Sequence, residues 1–173
     1  MAEAWIELPV ADYESTWRRI HREFRFRPSI NPADWPVFAE PPGSATWSVD
    51  GILPRADSPS RARERELATA ARDVLLTHVP EPLFALNWQH NGYAFRPSRM
   101  VDPHDLNSWL VPVCPNGDYV IFLSQDYAAG LLGQPWERTL CVFGDRLVPA
   151  FSLACKNLLG PPVRMRAAGA PGA

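Results

Sequence analysis

The sequence has almost no net charge and almost no lysine. Its 173 residues include 17 basic and 19 acidic side chains, for a formal charge of −2, and Lys156 is the one lysine. Proteins that bind nucleic acid or anionic membranes usually carry a strong positive field. We therefore expect neither nucleic acid nor a membrane as a partner. The richness in arginine, alanine and proline is typical of a GC-rich bacterial genome.

Cysteines are few, and long apolar runs are absent. Cys114, Cys141 and Cys155 are odd in number and lack metal-ligand spacing. A chain of this length with 46% hydrophobic residues builds a core without disulfides, so free thiols in a reducing cytosol are expected. No stretch reaches the ~18 apolar residues of a membrane span, and residues 1–5 lack the basic and apolar regions of a secretory signal. These absences predict a cytoplasmic protein.

Two segments place apolar side chains at helical spacing. The first helix is predicted over residues 12–24, with Asp12 as a candidate N-cap. Its apolar face consists of Tyr13, Trp17, Ile20 and Phe24. The second is predicted over about residues 59–77, where Ser58-Pro59 supply the cap and the first helical position. Recurrent prolines exclude a long helix between the two, although residues 45–49 are able to pair as a short strand.

Beyond Pro82 the pattern changes to a period of two. Three tight-turn signals separate runs of strand-forming residues: Asn91-Gly92, Asn116-Gly117 and Gly144-Asp145. The predicted partners are the two arms of residues 83–97, residues 109–114 with 118–124, and residues 139–143 with 146–148. Hairpins in series predict an antiparallel sheet. Residues 118–123 are expected to form a central strand, because the last five of them are apolar on both alternating faces.

A short helix over residues 150–159, ended by Gly160 and Pro161-Pro162, completes the predicted fold. We therefore predict a single α+β domain over residues 1–160. In it, an antiparallel sheet of serial hairpins packs against two N-terminal helices and a short C-terminal helix. Residues 161–173 are predicted to form a disordered tail.

The hairpin around Asn91-Gly92 carries the main candidate site. If these two residues form the whole loop, His90 faces Tyr93 and Trp88 faces Phe95. One face of the hairpin is then an aromatic wall that ends in a titratable pair. Since the reference pKa of histidine is about 6.5, His90 is a candidate proton-transfer group. The alternative is that Trp88 and Phe95 are core residues and His90 is a hydrogen-bonded histidine at the end of a strand.

Two loops hold the other candidates. Asp118 follows the Asn116-Gly117 turn, where it is either a catalytic carboxylate or a turn residue that caps backbone N–H groups. Residues 130–137 are predicted to be a glycine-rich loop that delivers Trp136 and Glu137 to the next strand and lines a pocket. It is not a phosphate-binding loop, since no helix with a lysine and a hydroxyl follows.

Asp102, His104 and Asp105 are three potential metal ligands close together in the sequence. Nearly consecutive loop residues rarely close a metal site without further donors, so a solvated loop is the preferred interpretation. We predict no metal and no cofactor.

Several motifs in one order resemble a known family. They are Leu-Asn-Trp-Gln-His at residues 86–90, Tyr-Ala-Phe-Arg-Pro at 93–97, Pro-Asn-Gly-Asp-Tyr at 115–119, Gly-Gln-Pro-Trp-Glu at 133–137 and Leu-Cys-Val-Phe-Gly at 140–144. Together they resemble the bacterial domain-of-unknown-function family 2716 over residues 17–147. The resemblance implies a shared set of residues but no reaction. That set comprises Trp88, Gln89, His90, Tyr93, Asp118, Trp136 and Glu137.

The resemblance also marks two departures. In the family pattern a histidine often stands where this sequence has Gln134, and an aspartate where it has Asn87. An activity that depends on that histidine would be altered or lost in this protein.

Two functions remain open on the sequence alone. The first is a small-molecule-binding protein or enzyme, in which His90, Asp118 or Glu137 transfers protons. Its pocket is lined by Trp88, Gln89, Tyr93, Gln134 and Trp136. The second is a protein-binding module of the immunity or antitoxin type, with surface tryptophans and arginines as anchors. A concave site favours the first function, and a flat aromatic and arginine patch favours the second.

Overall fold

The computed structural model describes residues 3–52 and 58–169, and within them the chain forms one antiparallel sheet with three α-helices. The helices are α1 (Val10–Glu23), α2 (Ser58–His78) and α3 (Leu147–Ala154). The strands are β1 (Trp5–Glu7), β2 (Ser44–Ser48), β3 (Leu83–Asn87), β4 (Gly92–Phe95), β5 (Val120–Leu123), β6 (Gly130–Gln134), β7 (Thr139–Phe143) and β8 (Arg164–Met165). The predicted α+β class is confirmed. None of the described helices is long and apolar enough to cross a membrane.

The sheet has the strand order β1-β4-β3-β5-β6-β7-β2-β8. β5 lies between β3 and β6, and all four of its residues are buried. The predicted central strand is therefore confirmed. Because successive side chains of β5 point to opposite faces and all are apolar, the sheet has to be covered on both sides.

Two hydrophobic cores provide that cover. On one face, helices α2 and α3 pack against Phe122 and the other side chains on that face of the sheet. The helices contribute Leu67, Ala71, Leu75 and Phe151. On the opposite face, Trp17 and Ile20 of α1 pack with Ile121 and Leu123. The extended segment that follows α1 contributes Phe24, Phe26, Val37 and Phe38 to this second core. The predicted apolar face of the first helix is confirmed.

The predicted register of the first hairpin is wrong. Phe95 pairs with Leu83 and Gly92 pairs with Leu86, so residues 88–91 separate the two strands. Only a glycine fits at position 92 of this strand, because a Cβ there would lie 2.4 Å from Cδ2 of Leu86. The prediction paired Phe95 with Trp88, which is five residues away from its actual partner Leu83. Because a register shift by an odd number of residues exchanges the two faces of a strand, the predicted faces are also wrong.

The aromatic wall is consequently divided between the two faces of the sheet. Tyr93 and Phe95 pack into the core on the α2 side, where Phe95 stacks on Trp5 of β1 with 4.0 Å between ring centroids. Trp88 packs against the core on the α1 side. β1 pairs with β4, and this non-local contact outweighs the local turn preference of Asn91-Gly92.

The other two predicted hairpins are also wrong. Residues 109–114 form no strand, and their alternating apolar pattern reflects burial of Trp109, Val111 and Val113 in the α2-side core. The partner of β5 is instead β6, which lies in the segment predicted to be a loop. A Cβ on Gly130 would meet the carbonyl oxygen of Phe122 at 2.2 Å, so this glycine allows close approach of two strands.

Residues 146–148 enter a helix and form no strand. Leu147 begins α3 three residues after Gly144, whose φ of 116° turns the chain. Pro149 lies in the first turn, where a missing backbone N–H costs no helical hydrogen bond. The C-terminal helix therefore starts and ends earlier than residues 150–159.

The segment predicted to be a disordered tail contains a short strand. Arg164 and Met165 form β8, which pairs with Thr46 and Ala45 of β2 at the end of the sheet. Arg166 continues this contact by donating its backbone N–H to the carbonyl of Ser44 at 2.9 Å. Residues 170–173 lie outside the described residues.

Trp17→Ala should destabilise the protein by about 3–5 kcal/mol, the usual cost of truncating a large core side chain. The Trp17 ring is 8% exposed and packs against Tyr13, His21 and Phe26. Trp136→Ala is the matched control, because Trp136 is 47% exposed. Denaturant unfolding should show a large loss for the first variant and a small one for the second. Equal losses would contradict the assignment of Trp17 to the core.

Candidate functional site

His90 and Asp118 form a hydrogen-bonded pair at the end of the sheet where β3 ends and β5 begins. Nδ1 of His90 lies 3.0 Å from Oδ2 of Asp118. The His90 side chain is 68% exposed, whereas that of Asp118 is only 17% exposed. The carboxylate is thus held in the protein, and the imidazole projects from it into solvent.

Backbone groups fix the carboxylate of Asp118. Its Oδ1 accepts the backbone N–H of Tyr119 at 2.8 Å, and its Oδ2 also accepts that of Gln89 at 3.4 Å. The turn before it contains Gly117 with a φ of 81°, a conformation that favours glycine. The sequence interpretation of Asp118 as a residue that caps backbone N–H groups is therefore correct, and the same carboxylate also binds His90.

The loop that carries His90 is tied to both neighbouring elements. The backbone N–H of Trp88 donates to the carbonyl of Tyr119 at 3.1 Å, which extends the pairing of β3 with β5. The hydroxyl of Tyr13 in α1 donates to the carbonyl of His90 at 2.9 Å. These contacts place the imidazole beside Asp118 even though the two residues are 28 positions apart in the chain.

The hydrogen bond to Asp118 determines which ring nitrogen is available. An ionised carboxylate only accepts hydrogen bonds, so Nδ1 of a neutral His90 has to carry the proton. Nε2 then presents its lone pair, and it has no hydrogen-bond partner among the described residues. A carboxylate that orients an imidazole in this way is a common arrangement for proton transfer.

The other predicted residues of this hairpin are only partly brought together. Gln89 is exposed beside His90, and Trp88 is half-buried with its ring 5.7 Å from that of Tyr119. Tyr93 lies on the opposite face, where it packs edge-on against Trp5. The predicted pocket walled by both Trp88 and Tyr93 is therefore not formed.

Gln134 is a buried structural contact. It is 2% exposed, and its Oε1 accepts the backbone N–H of Val37 at 3.2 Å. Its Nε2 is buried and has no hydrogen-bond partner among residues 3–52 and 58–169. Gln134 therefore attaches the segment after α1 to the end of β6 and is not available to a ligand in solution.

Glu137 belongs to a second cluster of charges, in which Arg164 lies between two carboxylates. Nη1 and Nη2 of Arg164 donate to Glu137, and Nη2 also donates to Oε1 of Glu40 at 2.7 Å. Thr46 and Thr139 donate their hydroxyls to Glu40 and Glu137 at 2.8 and 2.9 Å. Arg164 is 31% exposed, Glu40 5% and Glu137 13%.

Arg164 is held in its charged form by these partners. Burial acts to lower its pKa, but the hydrogen bonds and negative charges of Glu137 and Glu40 outweigh burial and raise the pKa above its ordinary value. Sequence reasoning missed this cluster because Arg164 lies in the predicted tail and Glu40 in the proline-rich segment. The contact arises only when β8 pairs with β2.

Cavities lie elsewhere on the molecule. One, of about 610 Å³, lies between the segment after α1 and β8, and its lining includes Arg25, Arg27, Arg164 and Arg166. Three others border α2 or the irregular segments. None of these four cavities is lined by His90, Trp88 or Asp118. The exposure of the His90 side chain, 68%, shows that the imidazole is accessible from solvent.

Neither a metal site nor a reactive thiol is present in the described part of the chain. No group of three potential ligands among residues 3–52 and 58–169 is arranged to hold a metal ion. Asp102 accepts the backbone N–H of His104 at 2.9 Å, as in an ordinary loop. The three cysteines are free and buried, and burial raises the pKa of each thiol to about 12.

Comparison with known proteins confirms the resemblance seen in the motifs. Residues 7–148 match the family described as "Protein of unknown function (DUF2716)". The chain is also 31% identical over 156 residues to the uncharacterized protein YxiI of Bacillus subtilis strain 168, which covers 84% of this chain and 91% of that protein. No solved structure matches. The chain belongs to the DUF2716 family.

Arg164→Met should lower the free energy of unfolding by about 2–3 kcal/mol. Removing one partner of a fully buried ion pair costs about 3–5 kcal/mol, and partial exposure of Arg164 reduces that figure. Arg138→Met is the matched control, because Arg138 forms an ion pair with Asp50 in which the two side chains are 57% and 60% exposed. The control should lose about 0–1 kcal/mol. Equal losses in denaturant unfolding would show that the Arg164 cluster does not stabilise the fold.

The three thiols should be unreactive in the native protein at pH 8. Their pKa of about 12 leaves almost no thiolate at that pH, and burial blocks the reagent. Titration with a chromogenic disulfide reagent should detect no thiols before denaturation and all three after it. A cysteine that reacts in the native protein as fast as in guanidinium chloride would refute this expectation.

Proposed function

We propose that the protein is a small-molecule-binding protein or enzyme in which His90 transfers protons and Asp118 orients it. The observation that supports this is the 3.0 Å contact between Nδ1 of His90 and the shielded carboxylate of Asp118, which leaves Nε2 free in solvent. The reaction class is general acid–base catalysis on a substrate that approaches from solution.

The pair is suited to a proton-transfer cycle. Neutral His90 accepts a proton from the substrate at Nε2, and the resulting imidazolium keeps its Nδ1–H bond to Asp118. The proton then returns to the substrate or to water, so the cycle needs no cofactor.

Neighbouring residues define the binding surface. Gln89 is exposed next to His90, and Trp88 offers the uncovered part of its ring. Glu137 is excluded from proton transfer in this proposal, since both of its carboxylate oxygens accept hydrogen bonds from Arg164. Gln134 and Tyr93 are likewise excluded, because one is buried and the other lies on the opposite face.

We place the protein in the bacterial cytoplasm. Its three cysteines are unpaired and buried, as is usual in a reducing compartment. The similar protein YxiI comes from a bacterium.

A protein-binding module of the immunity or antitoxin type is the second candidate. It is favoured by the open position of the His90–Asp118 pair and by Trp136, a large aromatic residue that is 47% exposed. Exposed tryptophans are frequent anchors at protein interfaces. In this alternative His90 contributes shape and hydrogen bonding, and its ability to titrate is irrelevant.

His90→Gln separates the two candidates. The glutamine amide can still donate to Asp118, but it has no titratable nitrogen. Acid–base catalysis therefore predicts a loss of about 10²- to 10⁴-fold in activity, read as failure to complement a chromosomal deletion, with an unchanged melting temperature.

His104→Gln is the matched control, because His104 is another exposed histidine and lies in a different loop, where Nδ1 is 3.1 Å from Oγ1 of Thr69. It should complement fully. Full complementation by His90→Gln would contradict the catalytic proposal and favour the protein-binding module. A melting temperature that falls together with function would show that the loop is only scaffold.

A further inference from the structure

The arginine-lined cavity is separate from the His90–Asp118 pair and has no role in the proposed function. It measures about 610 Å³ and lies between the segment after α1 and strand β8. Ligand pockets commonly measure about 300–1,000 Å³, so the space accommodates a small metabolite. Its lining is mixed: Pro36, Val37, Phe38 and Met165 supply apolar surface, and arginines supply charge.

In the segment after α1, buried phenylalanines alternate with exposed arginines, two of which line the cavity. Phe24 and Phe26 are 4% and 2% exposed in the α1-side core, while Arg25 and Arg27 between and after them are exposed. Backbone hydrogen bonds from Arg27 to Val37 at 3.0 Å and from Ala39 to Phe24 at 2.6 Å hold this segment. Both guanidinium groups therefore extend from a fixed backbone.

The charges of the lining are unbalanced. Arg25, Arg27 and Arg166 form no ion pair among the described residues. The guanidinium group of Arg166 donates to the backbone carbonyl of Glu40 at 2.7 Å. Glu40 also lines the cavity, but its carboxylate is already bound by Arg164. The remaining carboxylate of the lining, Asp34, accepts a hydrogen bond from Ser29 at 2.6 Å. The four arginines of the lining, Arg25, Arg27, Arg164 and Arg166, thus outnumber its two carboxylates, Asp34 and Glu40.

We propose that this cavity binds a small anion that carries a phosphate group. The planar guanidinium group donates paired hydrogen bonds that match phosphate oxygens, and several arginines together favour a dianion over a single carboxylate. Arg25, Arg27 and Arg166 contact the phosphate. Arg164, fixed by Glu40 and Glu137, forms a rigid wall beside it. The apolar residues of the lining accept the rest of the ligand.

Inorganic pyrophosphate is the probe, and isothermal titration calorimetry of the full-length chain at low ionic strength is the measurement. The unmodified protein should bind it saturably, and the double variant Arg25→Gln with Arg27→Gln should bind at least about tenfold more weakly. Because both side chains are exposed, the melting temperature of this variant should not change. Citrate at the same ionic strength should bind more weakly than pyrophosphate.

The matched control is the double variant Arg18→Gln with Arg22→Gln. It removes the same charge from α1, where the two side chains are 69% and 73% exposed and do not line the cavity. Its affinity should stay within about twofold of the unmodified protein. Absence of saturable binding by the unmodified protein, an equal loss in both double variants, or equally tight binding of citrate would each overturn the proposal.

Discussion

The fold depends on a strand that is apolar on both of its faces. All four residues of β5 are buried between β3 and β6, so neither face of the sheet can be left to water. Helices α2 and α3 cover one face, and α1 with the extended segment after it covers the other. β6 can approach β5 closely enough to pair because Gly130 and Gly133 have no Cβ, which would clash with Phe122 and Val120. The two cores and the sheet order follow from this arrangement.

The proposed proton-transfer site lies just outside that strand. Asp118 directly precedes Tyr119 and β5, and β3 beside it ends in the loop that carries His90. The rigid sheet thus places a carboxylate and an imidazole together while leaving the imidazole in solvent. The Arg164 cluster lies at the β8 edge of the sheet and joins β8, the turn before β7 and the segment after α1. It forms part of the wall of a cavity, whereas the His90–Asp118 pair is the proposed proton-transfer site.

Local patterns predicted those features that depend on local interactions. The helical spacing of Trp17 and Ile20 identified α1, and the two-sided apolar run identified β5. The same approach misplaced the β3–β4 register, because pairing of β4 with β1 outweighed the turn preference of Asn91-Gly92. His90 and Asp118 were both identified as candidates, but their contact depends on two strands that are distant in the chain. No local signal marks Arg164, since its partners Glu40 and Glu137 come from two segments that are distant from it in the chain.

We infer that Asp118 holds His90 in the tautomer that leaves Nε2 free. Nitrogen-15 NMR of the His90 ring reports that tautomer directly and requires no substrate. The neutral imidazole should be protonated at Nδ1, and this preference should be lost in Asp118→Ala while the rest of the spectrum is preserved. A ring protonated mainly at Nε2 in the unmodified protein, or a tautomer ratio that Asp118→Ala leaves unchanged, would show that Asp118 does not set the tautomer.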